Sequence, residues 1–573
     1  MQIQPVNSAQ QRVRWRAAWW HGVVVLLLLA GYLLLSESIG AFSANYSWRL
    51  WLEGVVALYL YGLTYLLLRP SPWRSVLAAL PLLLLYLGGD LFFLAFGKVF
   101  RLINLHEVPE LFAVLPLSYG LLLGVVMALP LALLLWQLSW RMHRTLLLTL
   151  LPLPLVIGLV YTAPAALSTV IVEVTDRPVK YSDAKSVEQN GRLTMMLYRE
   201  AQRQLALNEL APHRHREVYE AAQRARLQPL QAGKARRNVH LIVLESFLDP
   251  RLFTRLNFSA PPVHPEFDAL FGDKLGYSLS SVFGGATAQA EFEVLCGVPA
   301  LERLSSVEFN VFSGANAACL PWQLGQLGYY SSASNIYKPN FFNAVAGYQG
   351  TGFSVSHFPR EFAPASASYL SFGDPGVEEY LFDGDLLDQN LNYVKQQLNE
   401  APERPLFNYL LTIYGHTPHL LDPELRPERI ELISDYPDDH LTRAVNQFYY
   451  RSEAIAHYVK KLIEIDPQGL IILVSDHVPP LRNGPNTYEA LHYMDNREGA
   501  YYYNRLAIID RGEVKQLPTI HHYDIPSLVL NLLSEGEYCK SSDCPFDSDA
   551  QPGSAERESK LTAYLELMAH ASE

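Results

Sequence analysis

The chain has 573 residues, half of them hydrophobic, which is enough to bury more than one core. Its formal net charge of −12 argues against a nucleic-acid partner, which would call for a basic patch. The average composition hides a division, because the first third is rich in leucine and poor in charge, whereas the remainder resembles a globular domain.

Five apolar stretches in the first third are each close to the roughly 20 residues that a membrane-spanning helix needs. The first begins too far into the chain, and is followed by too many others, to indicate a cleaved signal peptide. Five such stretches with short connections are not typical of a soluble core. We therefore predict a membrane domain with five transmembrane helices at residues 1–165. The predicted spans cover about residues 19–36, 49–68, 74–97, 111–136 and 145–163.

Arginine placement predicts the orientation of these helices. Arginines precede the first span and lie between the second and third and between the fourth and fifth: Arg12, Arg14, Arg16, Arg69, Arg74, Arg141 and Arg144. Loops with an excess of Lys and Arg stay in the cytoplasm, so an odd number of spans places everything after Ala165 outside. We expect a protein of the bacterial cytoplasmic membrane whose C-terminal part faces the periplasm or the cell exterior.

Asp90, in the sequence GGDLFF of the third span, is an acid within a predicted membrane helix. Intramembrane acids are costly and often functional. Asp90 could equally lie near the outer edge of the membrane and simply meet water. The sequence alone does not decide between these two interpretations.

All four cysteines fall in the part that we place outside, where disulfides persist. The run CKSSDC closes a small loop, which favours a Cys539–Cys544 pair and leaves Cys296 with Cys319. Other pairings stay open at this point. The chain has no CxxC spacing of the kind that binds metals.

Residues 166–237 are charged and irregular, and the segment RLTMMLYREAQRQLAL within them predicts a juxtamembrane helix. From Asn238 onward, short apolar runs recur at NVHLIVLESF, GYSLSSVF, YYSSASNIY, PLFNYLLTIY, GLIILVSDH and NRLAIID. Helical segments separate several of them, notably LFDGDLLDQNLNYVKQQLN and DDHLTRAVNQFYYRSEAIAHYVKKLIEI. Strands alternating with helices predict an α/β domain at residues 238–573 around a largely parallel central sheet.

Polar residues follow three of the predicted strands. Glu245 ends the first run, His416 follows LFNYLLTIY, and the pair Asp476-His477 follows LIILVS. In open α/β sheets, ligands gather at the carboxyl ends of strands. Glu, Asp and His side chains there could complete a site for a divalent metal such as manganese or zinc.

Thr287 stands in GGATAQAEF, where an apolar helical segment begins. Its hydroxyl could cap the helix by accepting a backbone N–H. It could also be a nucleophile at a helix N-terminus, where the macrodipole favours phosphate. A metal-bound threonine hydroxyl is easier to deprotonate, so Thr287 could be ligand and nucleophile together.

Each of these residues also has a purely structural interpretation. Glu245 could cap the segment that follows it. Asp476-His477 could be an ordinary strand-ending turn, and His416 could be a loop histidine, as we expect of His419 in the same GHTPH motif. Only their coincidence at three strand ends and one helix start favours a functional site.

At these residues the chain resembles the lipoteichoic acid synthase branch of the alkaline phosphatase and sulfatase superfamily. The resemblance covers most of the chain, and five spans before such a domain are also the layout of that branch. It is carried by LIVLESF, GGATAQAEFEVLCGVP, LPWQLGQLGYYS, GHTPH, VSDHVPP and HHYDIPSLVLNLL. It implies the superfamily's fold, metal ligands at Glu245, Thr287, Asp476 and His477, with Thr287 as nucleophile, and a substrate-binding histidine at His416.

Two sequence features limit what the resemblance implies. The sulfatase motif C/S-x-P-x-R is absent around Thr287, which disfavours sulfate-ester hydrolysis. The run Phe-Trp-Asn-Arg, which supplies an arginine to glycerol phosphate in lipoteichoic acid synthases, becomes FFNA at residues 341–344, with Ala344 in place of the arginine. Lys338 or Asn340 could take over part of its role in binding the substrate.

The resemblance thus predicts a metal-dependent phosphoglycerol transferase outside the cytoplasmic membrane. Its donor would be a phospholipid, phosphatidylglycerol first, its acceptor a glycan or glycolipid of the cell envelope, and its cofactor manganese or, alternatively, zinc. The rival hypotheses are a phosphoethanolamine transferase and a metal-dependent phosphodiesterase that passes the group to water. A further rival, of another class, is a membrane protein with a degenerate site that binds an envelope component and catalyses nothing.

Overall fold

The structure is a computed structural model, and its described residues fall into two compact units, Met1–Asn208 and Glu209–Glu573. The boundary falls inside the predicted linker, so the helices in the second half of that linker belong to the C-terminal unit. The structure describes residues 20, 23–24, 27–38, 51–96, 100, 117–139, 144–178, 183–231 and 237–573, apart from 306, 340, 365–366, 435, 543 and 545–549.

The described part of the N-terminal unit is helical. Of these helices, Arg74–Leu94 is long and apolar enough to cross a membrane, and the bent pair Leu146–Thr162 and Pro164–Val174 adds a second if it is counted as one span. Shorter apolar helices lie at the other predicted spans, so the number five stays a prediction. The helices are Leu27–Ser38, Trp51–Leu67, Arg74–Phe96, Leu117–Gln137, Arg144–Leu150, Pro152–Thr162, Pro164–Val174, Asp183–Asn190 and Arg192–Leu210.

Asp90 does not meet water but is fully buried in a polar cluster. One carboxylate oxygen accepts hydrogen bonds of 2.6 Å from the hydroxyl groups of Tyr32 and Ser36. The guanidinium of Arg192 donates to both oxygens, at 2.6 and 2.8 Å. Asp90 therefore binds the first residue of the predicted juxtamembrane helix, Arg192–Leu210, to the apolar helices.

Glu53 holds the N-terminus of the same helix. Its carboxylate accepts the backbone N–H groups of Arg192, Leu193 and Thr194 at 2.9 to 3.1 Å. These first N–H groups have no acceptor within the helix, and a negative charge there also interacts favourably with the helix dipole. Gly191 has φ of 92°, and a Cβ at this position would lie 2.5 Å from the side chain of Glu53.

We expect Asp90→Ala to destabilise the protein, because Arg192 would stay largely buried without its counter-charge. Removing one partner of a buried ion pair typically costs about 3–5 kcal/mol. Thermal unfolding of the detergent-solubilised protein measures the effect. The matched control Ser36→Ala removes only the hydrogen bonds of an uncharged hydroxyl, which donates to Asp90 and accepts from Arg192, and leaves the ion pair in place. Equal losses in the two variants would show that the ion pair contributes nothing beyond a hydrogen bond.

The C-terminal unit is built around a mixed sheet of nine described strands. Six of the strands coincide with the six predicted apolar runs. In chain order the strands are β1 Val239–Leu244, β2 Asn257–Phe258, β3 Gly276–Leu279, β4 Tyr330–Asn335, β5 Val355–His357, β6 Leu406–Leu411, β7 Leu432–Ile433, β8 Leu470–Ser475, β9 Tyr503–Asp510, β10 Glu513–Lys515 and β11 Ile520–His521.

The strand order is β11-β3-β9-β8-β1-β6-β4-β5, with β10 beside β9, whereas β2 and β7 pair separately. Strands β8, β1, β6, β4 and β5 run parallel, as predicted. Strand β9 is antiparallel to both β8 and β3, and β10 returns along β9 after a turn with positive φ at Arg511 and Gly512. The sheet is therefore mixed rather than parallel throughout.

Two long helices cover one face of the parallel strands, and both lie where the sequence predicts them: Asp383–Glu400 and Asp439–Ile465. The second begins at Asp438, whose carboxylate accepts the N–H of Leu441 at 3.0 Å and so caps the helix. The other helices of the unit are Arg216–Arg226, Gln228–Gln231, Pro265–Phe271, Thr287–Cys296, Leu320–Gln326, Ala344–Thr351, Pro485–Ala490, Ile525–Leu533, Glu537–Ser541, Ser554–Ser559 and Leu561–Ala571.

The cysteines pair as predicted, Cys296 with Cys319 and Cys539 with Cys544. Cys296 is the last residue of the helix Thr287–Cys296, and Cys319 immediately precedes the helix Leu320–Gln326. The first disulfide therefore joins the end of one helix to the start of the next.

Candidate metal and nucleophile site

Three neighbouring parallel strands, β8, β1 and β6, end at one edge of the sheet. Asp476 and His477 follow β8, Glu245 follows β1, and His416 follows β6. The side chains of Glu245, Asp476 and His477 are buried, and their ligand atoms lie within 4.8 Å of one another. The structure thus brings together three of the four residues that the sequence analysis offered as metal ligands.

The hydrogen bonds around this cluster leave one oxygen of Asp476 and one ring nitrogen of His477 available to bind a metal. Asp476 Oδ1 accepts the backbone N–H groups of Ser246 at 2.8 Å and His477 at 2.6 Å. Asp476 Oδ2 is buried and has no hydrogen-bond partner among the described residues. His477 Nδ1 lies 3.1 Å from the carbonyl of Val478, so a proton on Nδ1 leaves Nε2 as a lone-pair donor. Two carboxylates, one of which has an oxygen without a hydrogen-bond partner among the described residues, and a neutral imidazole suit a divalent cation.

The electrostatics of the cluster also fit a cation. The pKa of the Asp476 carboxyl is raised well above its usual range, because the side chain is fully buried and the Glu245 carboxylate lies beside it. Burial alone would raise the pKa of Glu245, but the imidazoles of His477 and His416 and two hydroxyl hydrogen bonds hold it below its usual value. Burial opposes the charged form of His477 and lowers its pKa, which favours the neutral imidazole that binds a metal.

Thr287 is the first residue of its helix, and its hydroxyl does not cap that helix. The hydroxyl donates instead to Glu245 Oε2 at 2.9 Å and lies 3.4 Å from His477 Nε2. The preceding turn has positive φ at Gly284 and Ala286, and the N–H of Gly284 donates to Val478 at 3.1 Å. This turn attaches the start of the helix to the loop that carries His477. The capping interpretation of Thr287 is therefore wrong.

The two histidines of the GHTPH motif have different environments. His416 is half-buried, its Nδ1 lies 2.7 Å from the carbonyl of Thr417, and its ring packs against Tyr380 with centroids 5.1 Å apart. His419 is fully buried, its Nδ1 lies 3.2 Å from the side chain of Gln447, and burial lowers its pKa to about 3. His419 is thus a neutral histidine of the loop interior, but it is not the fully satisfied histidine that we expected, because its Nε2 has no hydrogen-bond partner among the described residues.

The candidate substrate-binding residues follow β4. Lys338 is partly buried, which lowers its pKa, and its Nζ lies 5.5 Å from the centroid of the Tyr337 ring. Asn340 lies outside the described residues. Ala344, which takes the place of the family arginine, is buried at the start of the helix Ala344–Thr351, so this position supplies no cation.

Two residues that support the site were not predicted. Ser246 has φ of 47°, and besides its N–H bond to Asp476 its hydroxyl donates to Glu245 Oε1 at 2.8 Å. His522 is buried, with Nε2 3.0 and 3.1 Å from the carbonyls of Ser475 and Asp476 and Nδ1 2.7 Å from the Ser278 hydroxyl. His522 lies in HHYDIPS, one of the segments that carry the family resemblance, but nothing in the sequence indicated its buried contacts with the main chain.

Comparisons with known proteins agree with this architecture. The sulfatase family model matches residues 237–534, which is more than half of the chain. The chain belongs to the sulfatase family. The resemblance to the alkaline phosphatase and sulfatase superfamily inferred from the motifs is thereby confirmed. Members of this superfamily are metal-dependent enzymes, in keeping with the cluster at Glu245, Asp476 and His477.

Curated relatives of this sulfatase-family chain match it over part of their length. A putative cyclic β-1,2-glucan modification protein of Rhizobium meliloti (strain 1021) is 26% identical over 284 residues, 48% of this chain and 41% of the relative. The lipoteichoic acid synthase-like YvgJ of Bacillus subtilis (strain 168) is 25% identical over 249 residues, 42% of this chain and 37% of YvgJ. The chain thus spans about two fifths of the length of these relatives.

Among solved structures, the Streptococcus pyogenes phosphoglycerol transferase GacH in complex with sn-glycerol-1-phosphate is similar to this sulfatase-family chain. The similarity has 19% identity and a TM-score of 0.45, and it covers 63% of this chain and 91% of GacH.

Divalent metal should stabilise the folded protein, because a ligand that binds only the folded state at a hundredfold excess over its Kd adds about 2.7 kcal/mol. We expect manganese added after EDTA treatment to raise the melting temperature of the wild type. Asp476→Asn should abolish most of this rise, since asparagine keeps an acceptor for the two backbone N–H groups but removes the ligand charge. An equal rise in this variant would contradict a metal site at Asp476.

Glu291, one helical turn after Thr287, is a further buried carboxyl near the site. Its Oε1 accepts hydrogen bonds of 2.6 Å from Tyr348 and Tyr409. Burial raises the pKa of Glu291 to about 7 from 4.5. The folded state therefore holds this proton more tightly than the unfolded state, and the resulting stabilisation is complete below pH 4.5 and is lost as the pH rises through 7.

Glu291→Gln should accordingly lose less stability than the wild type between pH 5 and pH 8, because glutamine still accepts from both tyrosines but does not titrate. The difference can reach about 3 kcal/mol, since one pKa unit corresponds to about 1.4 kcal/mol. Melting temperatures across this pH range measure it, and Glu464→Gln at an exposed position serves as control. Parallel pH profiles for wild type and Glu291→Gln would disprove the proton on Glu291.

Proposed function

We propose that the protein is a membrane-anchored, metal-dependent transferase that moves phosphoglycerol from phosphatidylglycerol to a hydroxyl group of an envelope glycan or glycolipid. The observation that carries this proposal is the position of the Thr287 hydroxyl. It lies at a helix N-terminus, 2.9 Å from Glu245 Oε2 and beside the buried cluster of candidate metal ligands. A hydroxyl in this position can attack a phosphate and carry it as a covalent intermediate.

The proposed reaction has two transfers. In the first, Thr287 Oγ1 forms a bond to the donor phosphorus while the bond from phosphorus to the diacylglycerol oxygen breaks. The threonine proton leaves through Glu245 and is passed on to the diacylglycerol oxygen, so this transfer neither gains nor loses a proton. In the second, the acceptor oxygen bonds to phosphorus, the bond to Thr287 breaks, and the acceptor's proton returns to the threonine oxygen. Both steps depend mainly on positioning the reacting oxygen atoms and on neutralising the negative charge of the phosphate.

The residues of the site divide these tasks. Glu245, Asp476, His477 and the Thr287 oxygen would hold a divalent metal, manganese first and zinc as the alternative, which lowers the pKa of the threonine and offsets phosphate charge. The N-terminus of the helix Thr287–Cys296 points backbone N–H groups at the same phosphate. His416 holds a phosphate oxygen or exchanges a proton with the leaving or attacking oxygen, and Lys338 supplies a further cation.

The acceptor class rests on a relative. The rhizobial relative is named a putative cyclic β-1,2-glucan modification protein, and a glycan acceptor for this chain is in keeping with that name. Cell-envelope acceptors also agree with a catalytic unit outside the cytoplasm, which the arginine distribution predicts. We therefore propose five spans within residues 1–165, a linker at 166–237 and a catalytic domain at 238–573 that faces the periplasm or the exterior.

Phosphoethanolamine transfer is the second candidate function, because the buried Ala344 replaces the arginine that holds glycerol phosphate in lipoteichoic acid synthases. The two donors share the phosphate and diacylglycerol groups and differ only in the headgroup alcohol. The same chemistry at Thr287 therefore serves either donor, and the mass of the covalent adduct distinguishes them.

The decisive experiment incubates the detergent-solubilised protein with manganese and either phosphatidylglycerol or phosphatidylethanolamine, and then measures the intact mass. We expect a phosphoglycerol adduct with the first donor. Thr287→Val keeps the shape of threonine but removes its hydroxyl and should form no adduct, whereas Thr287→Ser keeps a hydroxyl and should retain one. An adduct on Thr287→Val would disprove the nucleophile, and an adduct from phosphatidylethanolamine alone would replace the proposed donor.

A further inference from the structure

Arg451 is a fully buried arginine in the middle of the helix Asp439–Ile465. Its Nη2 donates to the backbone carbonyl of Glu245 at 2.7 Å, and its Nη1 lies 3.4 Å from the carbonyl of Ser246. Its Nε donates to Asp383 Oδ2 at 2.7 Å. A buried guanidinium is expensive to desolvate, and an apolar side chain would often serve stability as well or better. This arginine binds the main chain that carries a candidate metal ligand.

The carbonyls that Arg451 binds belong to a strained turn. Ser246 has φ of 47°, a conformation that costs a non-glycine residue about 1–3 kcal/mol and persists only where its surroundings hold it. The same residue contacts two candidate ligands. Its hydroxyl donates to Glu245 Oε1 and its N–H to Asp476 Oδ1, both at 2.8 Å. A shift of this turn therefore displaces both carboxylates together.

Gly415, in the loop that follows β6, leaves room for this contact. A Cβ at position 415 would lie 2.0 Å from the carbonyl oxygen of Glu245 and 2.3 Å from Nη1 of Arg451. The guanidinium also lies 5.1 Å from the centroid of the Phe247 ring. The long helix, the turn after β1 and the loop that follows β6 thus meet around one guanidinium, with Asp383 neutralising its charge.

We infer that Arg451 is a positioning residue for the metal site, acting through the main chain of Glu245 and Ser246 to fix the carboxylates of Glu245 and Asp476. The inference rests on the proposed function only in that it takes these carboxylates as metal ligands. Residues that orient metal ligands without touching the metal typically contribute 10- to 100-fold in metal affinity.

The test is the manganese affinity of the metal-free, full-length protein, measured by titration calorimetry. Arg451→Lys keeps the positive charge but cannot hold two carbonyls and Asp383 at once, and we expect its Kd to rise at least tenfold. The matched control is Arg426→Lys. Arg426 makes a comparable two-pronged contact, with Glu378, and lies over the ring of Phe382, but it binds the main chain of no candidate ligand. Its replacement should lower the melting temperature and leave the Kd unchanged.

A folded Arg451→Lys variant with the wild-type Kd would overturn the inference, as would an equal loss of affinity in Arg426→Lys. If Arg451→Lys does not fold, Asp383→Asn decides, because it leaves the arginine in place and removes only the charge that fixes it. We expect this variant to bind manganese several-fold more weakly, and an unchanged Kd would overturn the inference. If the variants change the manganese Kd as expected but the wild type forms no adduct with either lipid, the proposed function is contradicted and the inference about Arg451 stands.

Discussion

Glu245 and Asp476 place two carboxylates side by side in a buried pocket, and the rest of the catalytic unit is arranged around this constraint. Burial of the Asp476 side chain, together with repulsion by the Glu245 carboxylate beside it, raises the pKa of Asp476 far above its usual range. Backbone N–H groups, an imidazole and a threonine hydroxyl surround the pair, and a divalent cation would balance its charge. Without a metal, the raised pKa of Asp476 favours a proton on this carboxyl, and a divalent ion that binds both carboxylates would displace it.

The sequence allowed this pair to be predicted because both acids terminate apolar runs that could only be buried strands. Parallel neighbours end at a common edge, so Glu245, His416 and Asp476 had to meet there once β8, β1 and β6 were adjacent. The strand order itself was not predictable, since it depends on packing between segments far apart in the chain. The reversal of β9 was missed for the same reason, because an apolar run carries no information on its direction.

The supporting residues were hidden for a different reason. Ser246, His522 and Arg451 make contacts with main-chain carbonyl or N–H groups. A sequence does not show which of its polar residues make such contacts. Their partners are distant in the chain, as between Arg451 and Glu245. Asp90 illustrates the same point in the N-terminal unit. Both interpretations offered for it concerned membrane or water, whereas its partner is an arginine that follows it by 102 residues.

The disulfide between Cys296 and Cys319 has a consequence for how substrate and nucleophile meet. The helix that starts with Thr287 is ten residues long and is tied at its last residue to a neighbouring helix by a covalent bond. At its first residue it is held by the hydrogen bond to Glu245. A rod anchored at both ends has little freedom to slide along its axis. In the two proposed transfers, the lipid headgroup and the acceptor would therefore have to approach and depart, while the Thr287 oxygen stays in place.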